Sequence, residues 1–122
     1  MSRLNKHLKS YRYAWRGILL AFRNENNMLF HLIAAILVVV LNILFQVNKY
    51  EWLITLLLIG LAWTAEIFNT AIETLANRVT EQQDTLIGKT KDLASGAVLV
   101  ICLFALICAA IIYFPYLLPF IN

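Results

Sequence analysis

Charge is scarce in this chain. Only 14% of its 122 residues are Asp, Glu, Lys or Arg, whereas 61% are hydrophobic, and soluble domains carry about 25% charged residues. With a mean hydropathy of +0.75, that deficit excludes an ordinary water-soluble globule and makes lipid the main solvent. Four glycines are too few for a Gly-rich nucleotide-binding loop. The nearest approach to a phosphate loop, Gly88-Lys89-Thr90, has Gln83 where that motif requires Gly and no strand before it, so it is expected to be a polar loop. Two cysteines, Cys102 and Cys108, lie inside one apolar run; their spacing suits neither a disulfide framework nor a metal pair, and both are expected to pack as small hydrophobes. His7 and His31 are isolated and form no zinc pattern, so His31 is expected to be an interface residue. An early short apolar region with a small-residue cleavage site is also missing, and the amino terminus is expected to be retained.

What is present is three apolar runs: Phe30 to Val47, Trp52 to Ala65 with a helical continuation through Ile72, and Leu93 to Phe114. A ~30 Å hydrocarbon core needs about 20 helical residues, so the second run must draw the Glu66 to Glu73 stretch into its span. The expectation is a single all-α membrane domain over residues 1–122, with spans near 30–47, 52–72 and 93–114. Ahead of them Leu4, Leu8, Tyr11, Trp15, Ile18, Leu19 and Phe22 recur at steps of three and four, with Lys6, Lys9, Arg12, Arg16 and Arg23 mostly on other faces. This pattern predicts an amphipathic surface helix over about 4–23, drawn to anionic lipid and not to nucleic acid. The polar cluster Arg23-Asn24-Glu25-Asn26-Asn27 predicts a turn after it.

Nine of the ten Lys and Arg residues precede the first run or lie between the second and third; only Lys49 falls between the first two. Positive-inside placement therefore puts the amino terminus and a 74–92 loop in the cytoplasm and the C-terminus outside. Trp52, Tyr50, Tyr113 and Tyr116 then fall near the outer ends of spans, as an aromatic belt requires.

The most informative stretch is Glu66-Ile67-Phe68-Asn69-Thr70-Ala71-Ile72-Glu73. A carboxylate near the middle of a membrane helix costs roughly 3 kcal/mol and marks a functional site by default. Helical spacing puts Glu66, Asn69 and Glu73 on one face. Glu25, Glu73, Asp84, Lys89, Lys91 and Asp92 gather at one membrane surface, where carboxylates can hold Mg²⁺ while phosphate oxygens complete its shell. Lys91 and the start of the third span offer positive charge and free N–H groups to phosphate, and phosphoryl transfer needs mainly positioning, metal and charge neutralisation. Glu66, about 10 Å deeper than Glu73, lies at the depth of a lipid hydroxyl whose proton it can abstract. A second reading stays open: the acids bond neighbouring helices in a non-enzymatic membrane protein serving assembly or ion passage.

The segments Ala14-Trp15-Arg16-Gly17, Asn24-Glu25, Glu66 to Glu73, and Lys91-Asp92 leading into Ser95-Gly96-Ala97-Val98 make nearly the whole chain resemble the small prokaryotic diacylglycerol kinases, and within them the undecaprenol kinase branch. The resemblance implies three membrane helices and a surface helix in a homotrimer of the bacterial inner membrane, with active sites shared between subunits. It implies ATP and a lipid alcohol, undecaprenol or diacylglycerol, as substrates. Glu25 and Glu73 would hold magnesium and Glu66 would act as general base. Asn69, Lys91 and Asp92 would shape the phosphate site, Lys6 and Tyr13 would reach ATP from the surface helix, and Lys6, Glu66 and Ser95 would border the lipid. Gln82, Gln83 and Asp84 stand where relatives often carry Glu-Tyr-His near the nucleotide base. Lys6 replaces an Arg found in some relatives, which removes a bidentate fork.

Overall fold

The computed structural model describes residues 2–24 and 26–122. The described residues form four helices: α1 (Arg3–Asn24), α2 (Asn26–Leu44), α3 (Lys49–Val79) and α4 (Thr85–Ile121). Among the described residues there is no strand, as the all-α expectation requires. Helices α2, α3 and α4 are each long and apolar enough to cross a membrane. In hydrocarbon a helix is also what the backbone demands, because it satisfies its own N–H and C=O groups.

Local chemistry fixes the helix ends. Helix α2 closes with Gln46 in the left-handed region at φ 49°, while Gln46 N–H donates to Ile43 O (3.3 Å) and Val47 N–H to Asn42 O (3.2 Å). These two bonds form a Schellman motif built without glycine. Asn48 then starts α3 with a capping box: its side chain accepts from Glu51 N–H at 2.9 Å, and the Glu51 carboxylate accepts from Asn48 N–H at 3.1 Å. Asp84 starts α4 by accepting from Leu86 and Ile87 N–H, both at 3.0 Å.

Those caps correct one expectation. The polar 74–92 segment is not a loop: α3 runs on to Val79 and α4 begins at Thr85, so Gly88-Lys89-Thr90 is helical and only residues 80–84 connect. The Asp84 side chain satisfies the first orphan donors of α4, which lets the helix begin well before its apolar run. At the other end α4 continues through Pro115 and Pro119 to Ile121. At 1.5 Å per residue α3 is about 46 Å long and α4 about 55 Å, so both outreach a ~30 Å hydrocarbon core.

Helix α3 packs chiefly on α4 and next on α2, and α1 touches α2 and α3 more lightly. At the α2–α3 turn, Val47, Ile112 and Tyr113 form a buried cluster against Leu41, Phe45, Trp52, Ala109 and Tyr116. Beside it lies a polar knot. Asn42 Nδ2 donates to Thr55 Oγ1 at 2.9 Å, the Tyr113 hydroxyl donates to Asn42 Oδ1, Thr55 donates to Glu51 O at 2.9 Å, and the Tyr116 hydroxyl donates to the Glu51 carboxylate. At the other end of the bundle, the Phe22 ring of α1 meets Trp63 of α3 edge-on at 5.1 Å. Large apolar side chains such as Phe30, Leu57, Phe68, Phe104 and Leu106 remain exposed on the spans, a surface that only lipid or a neighbouring helix can cover.

Candidate active site

Because α3 outreaches the hydrocarbon, its residues sample different solvents. Counting from Trp52, Glu66 lies about 21 Å along the axis and Glu73 about 32 Å, so the first falls inside a ~30 Å core and the second at its edge. Glu66 is only 1% exposed. Its surroundings address each carboxylate oxygen separately: Asn69 Nδ2 donates to Oε1 at 3.5 Å, and His31 Nε2 of α2 stands 3.6 Å from Oε2. Asn69 is also buried, and its Oδ1 has no hydrogen-bond partner among the described residues. Buried acceptors are rarely left so, and a hydroxyl or water entering the site would satisfy this one.

His31 sits on the face of α2 turned towards α3. It is itself buried, and its carbonyl accepts from Trp63 Nε1 at 3.4 Å. Sequence reasoning treats His31 as an interface residue. The contact with Glu66 needs the register of α2 on α3, which no local spacing encodes. From this end an apolar groove of about 390 Å³ runs between α2, α3 and α4, past Ala62, Cys102 and Leu106 to Thr55 and Tyr113 of the polar knot.

One turn beyond Glu73, Asn77 Oδ1 accepts from Lys91 Nζ at 2.6 Å. That bond holds Lys91 of α4 against the same end of α3 as Glu73. Asn77 is a residue the sequence reasoning missed, although it continues the spacing of three and four through Glu66, Asn69 and Glu73. Glu73 itself is half-buried and has no ion-pair partner among the described residues. Among the described residues no three His, Cys, Asp or Glu side chains gather there as a ready cage. Mg²⁺ held through one or two carboxylates and substrate phosphates requires no such cage, and the free Glu73 carboxylate is a hard oxygen donor of the right kind. Glu25, the other expected metal ligand, lies outside the described residues.

The remaining expected site residues are distributed as follows. Asp92, Ser95, Gln82 and Gln83 are exposed near the same end of the bundle, with the Ser95 hydroxyl donating to Lys91 O at 2.9 Å. Asp84 spends one carboxylate oxygen on the α4 cap. Lys6 and Tyr13 are exposed on α1, and Lys6 stands about 24 Å along that helix from the Phe22 contact with α3. Within one chain, then, the structure joins Glu66, Asn69 and His31, and separately Asn77 and Lys91 one turn from Glu73, but it does not bring Lys6 or Tyr13 to them.

Comparison with known proteins gives this geometry its context. The family described as prokaryotic diacylglycerol kinase matches residues 12–113. The undecaprenol kinase of Bacillus subtilis is 38% identical over 114 residues, covering 93% of each chain. The diacylglycerol kinase of Escherichia coli is 30% identical over 100 residues, covering 82% of each. That of Synechocystis is 30% identical across 91% of this chain and 64% of its own length. A buried carboxylate and a free one, a helical turn or two apart on one membrane-crossing helix, thus occur in a chain that belongs to the prokaryotic diacylglycerol kinase family, a bacterial membrane lipid kinase.

Proposed function

We propose that this lipid kinase transfers the γ-phosphate of ATP to the primary hydroxyl of a membrane lipid alcohol, and that undecaprenol is the preferred acceptor over diacylglycerol. The observation that carries the chemistry is Glu66: a carboxylate 1% exposed, with Asn69 and His31 beside its two oxygens, on the part of α3 where a lipid hydroxyl can meet it. Glu66 takes the hydroxyl proton, the alkoxide oxygen bonds to the γ-phosphorus, and the bond from that phosphorus to the β-bridging oxygen breaks to release ADP. Glu25 and Glu73 would hold Mg²⁺, which would supply neutralisation of phosphate charge. Asn69, Lys91 and Asp92 orient the phosphates, with Gln82, Gln83 and Asp84 toward the base and Ser95 bordering the lipid.

The distance of Lys6 and Tyr13 from the acids of their own chain supports a site completed by a neighbouring subunit in a homotrimer, where the α1 of one copy reaches the α3 of another. The apolar stripe and basic faces of α1 support its lying on the inner-membrane surface, with the amino terminus cytoplasmic and the C-terminus outside. The greater identity to an undecaprenol kinase than to a diacylglycerol kinase supports the choice of lipid.

The test is direct. Purified protein in nanodiscs with labelled ATP, Mg²⁺ and either undecaprenol or diacylglycerol transfers label to lipid, faster to undecaprenol. Glu66→Gln and Glu73→Gln each lose most of the transfer. Absence of transfer to either alcohol, with the oligomer intact, would instead leave the acids a role in assembly.

A further inference from the structure

We infer that His31 is a positioning residue for the phosphoryl transfer: its imidazole Nε2 fixes the Glu66 carboxylate in the rotamer from which Oε1 faces the incoming hydroxyl. The inference rests on the reading of Glu66 as the base and adds a partner to it.

Three observations carry it. The first is the division of labour at the carboxylate, where Asn69 approaches Oε1 at 3.5 Å and His31 approaches Oε2 at 3.6 Å. A hydrogen bond on one oxygen and a ring nitrogen at ion-pair distance from the other restrict the plane of the group more than either alone. The second is that His31 is anchored: its own carbonyl accepts from Trp63 Nε1 at 3.4 Å, and Trp63 is braced by Phe22 of α1, so the ring approaches Glu66 from a fixed backbone. The third is that neither contact is short. A pair whose purpose was to staple α2 to α3 would close to full hydrogen-bond length, as Asn42 does on Thr55 at 2.9 Å. Catalytic hydrogen bonds in substrate-free structures are commonly longer than this and tighten when substrate arrives.

The alternative role for the same atoms is structural, a buried polar tie between two helices. Such ties stabilise little, since desolvation offsets what they gain. The two roles differ in what must be conserved at position 31: positioning requires a donor at the place of Nε2, whereas a tie requires any polar group that bridges the helices.

The experiment compares His31→Gln, which sets an amide N–H close to the Nε2 position, with His31→Asn, whose shorter side chain sets it near Nδ1, and with His31→Leu. Each is made in the full chain, with kcat and KM measured for ATP and for the lipid alcohol in nanodiscs and oligomer integrity read in parallel. The expected result is kcat near wild type for His31→Gln, a fall of ten- to a hundredfold for His31→Asn and His31→Leu, and both KM values within about twofold throughout. If His31→Leu fails to assemble, the Gln and Asn pair decides alone, both being polar and of similar bulk. Equal retention or equal loss in that pair overturns the inference, as does a change confined to KM. The kinase reading fails separately, when the wild-type protein transfers no phosphate, and it survives when Glu66→Gln abolishes transfer but the His31 variants do not.

Discussion

Helix α3 carries two buried polar clusters, and they are built on opposite principles. The one near its start links Asn42, Thr55 and Tyr113, with Glu51 and Tyr116 beside them, and its bonds are short and run in a chain from donor to acceptor. The one further along links Glu66, Asn69 and His31 through contacts of 3.5 and 3.6 Å and leaves Asn69 Oδ1 unpartnered. In the same apolar setting, the first has completed its hydrogen bonding and the second has capacity to spare. A satisfied cluster rigidifies and specifies packing. An unsatisfied one has an acceptor to offer an incoming hydroxyl or water, which is what supports assigning the proposed chemistry to Glu66 and not to Glu51, although both are carboxylates on α3.

The contrast is broken most severely by exchanging the loss expected at each cluster. Glu66→Gln keeps the side-chain shape and removes the base, so kcat for lipid phosphorylation should fall by about 10²–10⁴-fold while the thermal midpoint stays near wild type. A fall in midpoint with activity per folded protein retained would show that Glu66 is doing the work of the first cluster. Asn42→Leu makes the opposite exchange. It removes the closest acceptor of the Tyr113 hydroxyl and the donor to Thr55, while Thr55 keeps its bond to Glu51 O, so the loss should be about 1–3 kcal/mol in all. Denaturation in mixed detergent micelles should show that loss of stability, with kcat of the surviving folded protein unchanged.

A smaller effect tests whether the end of α4 near Lys91 is set by its cap. Asp84→Ala removes the acceptor for Leu86 and Ile87 N–H and should cost about 1 kcal/mol. Hydrogen exchange should rise over the first turn of α4 first, because that turn lies outside the apolar run and has no lipid to hold it. If instead exchange rises evenly along α4, the cap is not what starts the helix.

Much of this was legible in the sequence, for reasons that also explain the rest. The spans declare themselves because hydrocarbon tolerates only long apolar helices, and Glu66, Asn69 and Glu73 declare a shared face because helical spacing is fixed. Asn77 was legible by the same spacing but lies where charge and polarity suggest a loop. The short 80–84 connection was hidden because an aspartate at 84 can be a nucleotide contact or a helix cap, and composition does not distinguish them. His31 was hidden for a deeper reason: its relation to Glu66 depends on how far α2 slides along α3. That register belongs to the packing of α2 on α3, where His31 meets Glu66 and Trp63 across the two helices, and no local spacing encodes it.

The turn itself offers the mildest way to sharpen the comparison. Gln46 holds φ 49°, a conformation in which an L side chain costs about 1 kcal/mol or more, and the Schellman closure around it delivers Val47 to the cluster of Ile112 and Tyr113. Glycine takes that φ freely but has more freedom to lose on folding, so Gln46→Gly should gain at most about 1 kcal/mol. Gln46 is exposed, and the substitution removes no buried contact. The expected outcome is a slightly higher unfolding midpoint with kcat and both KM values unchanged. Any change in kcat would mean that the register of α2 on α3 had shifted at His31, and that the two clusters are coupled through the helix and not merely carried by it.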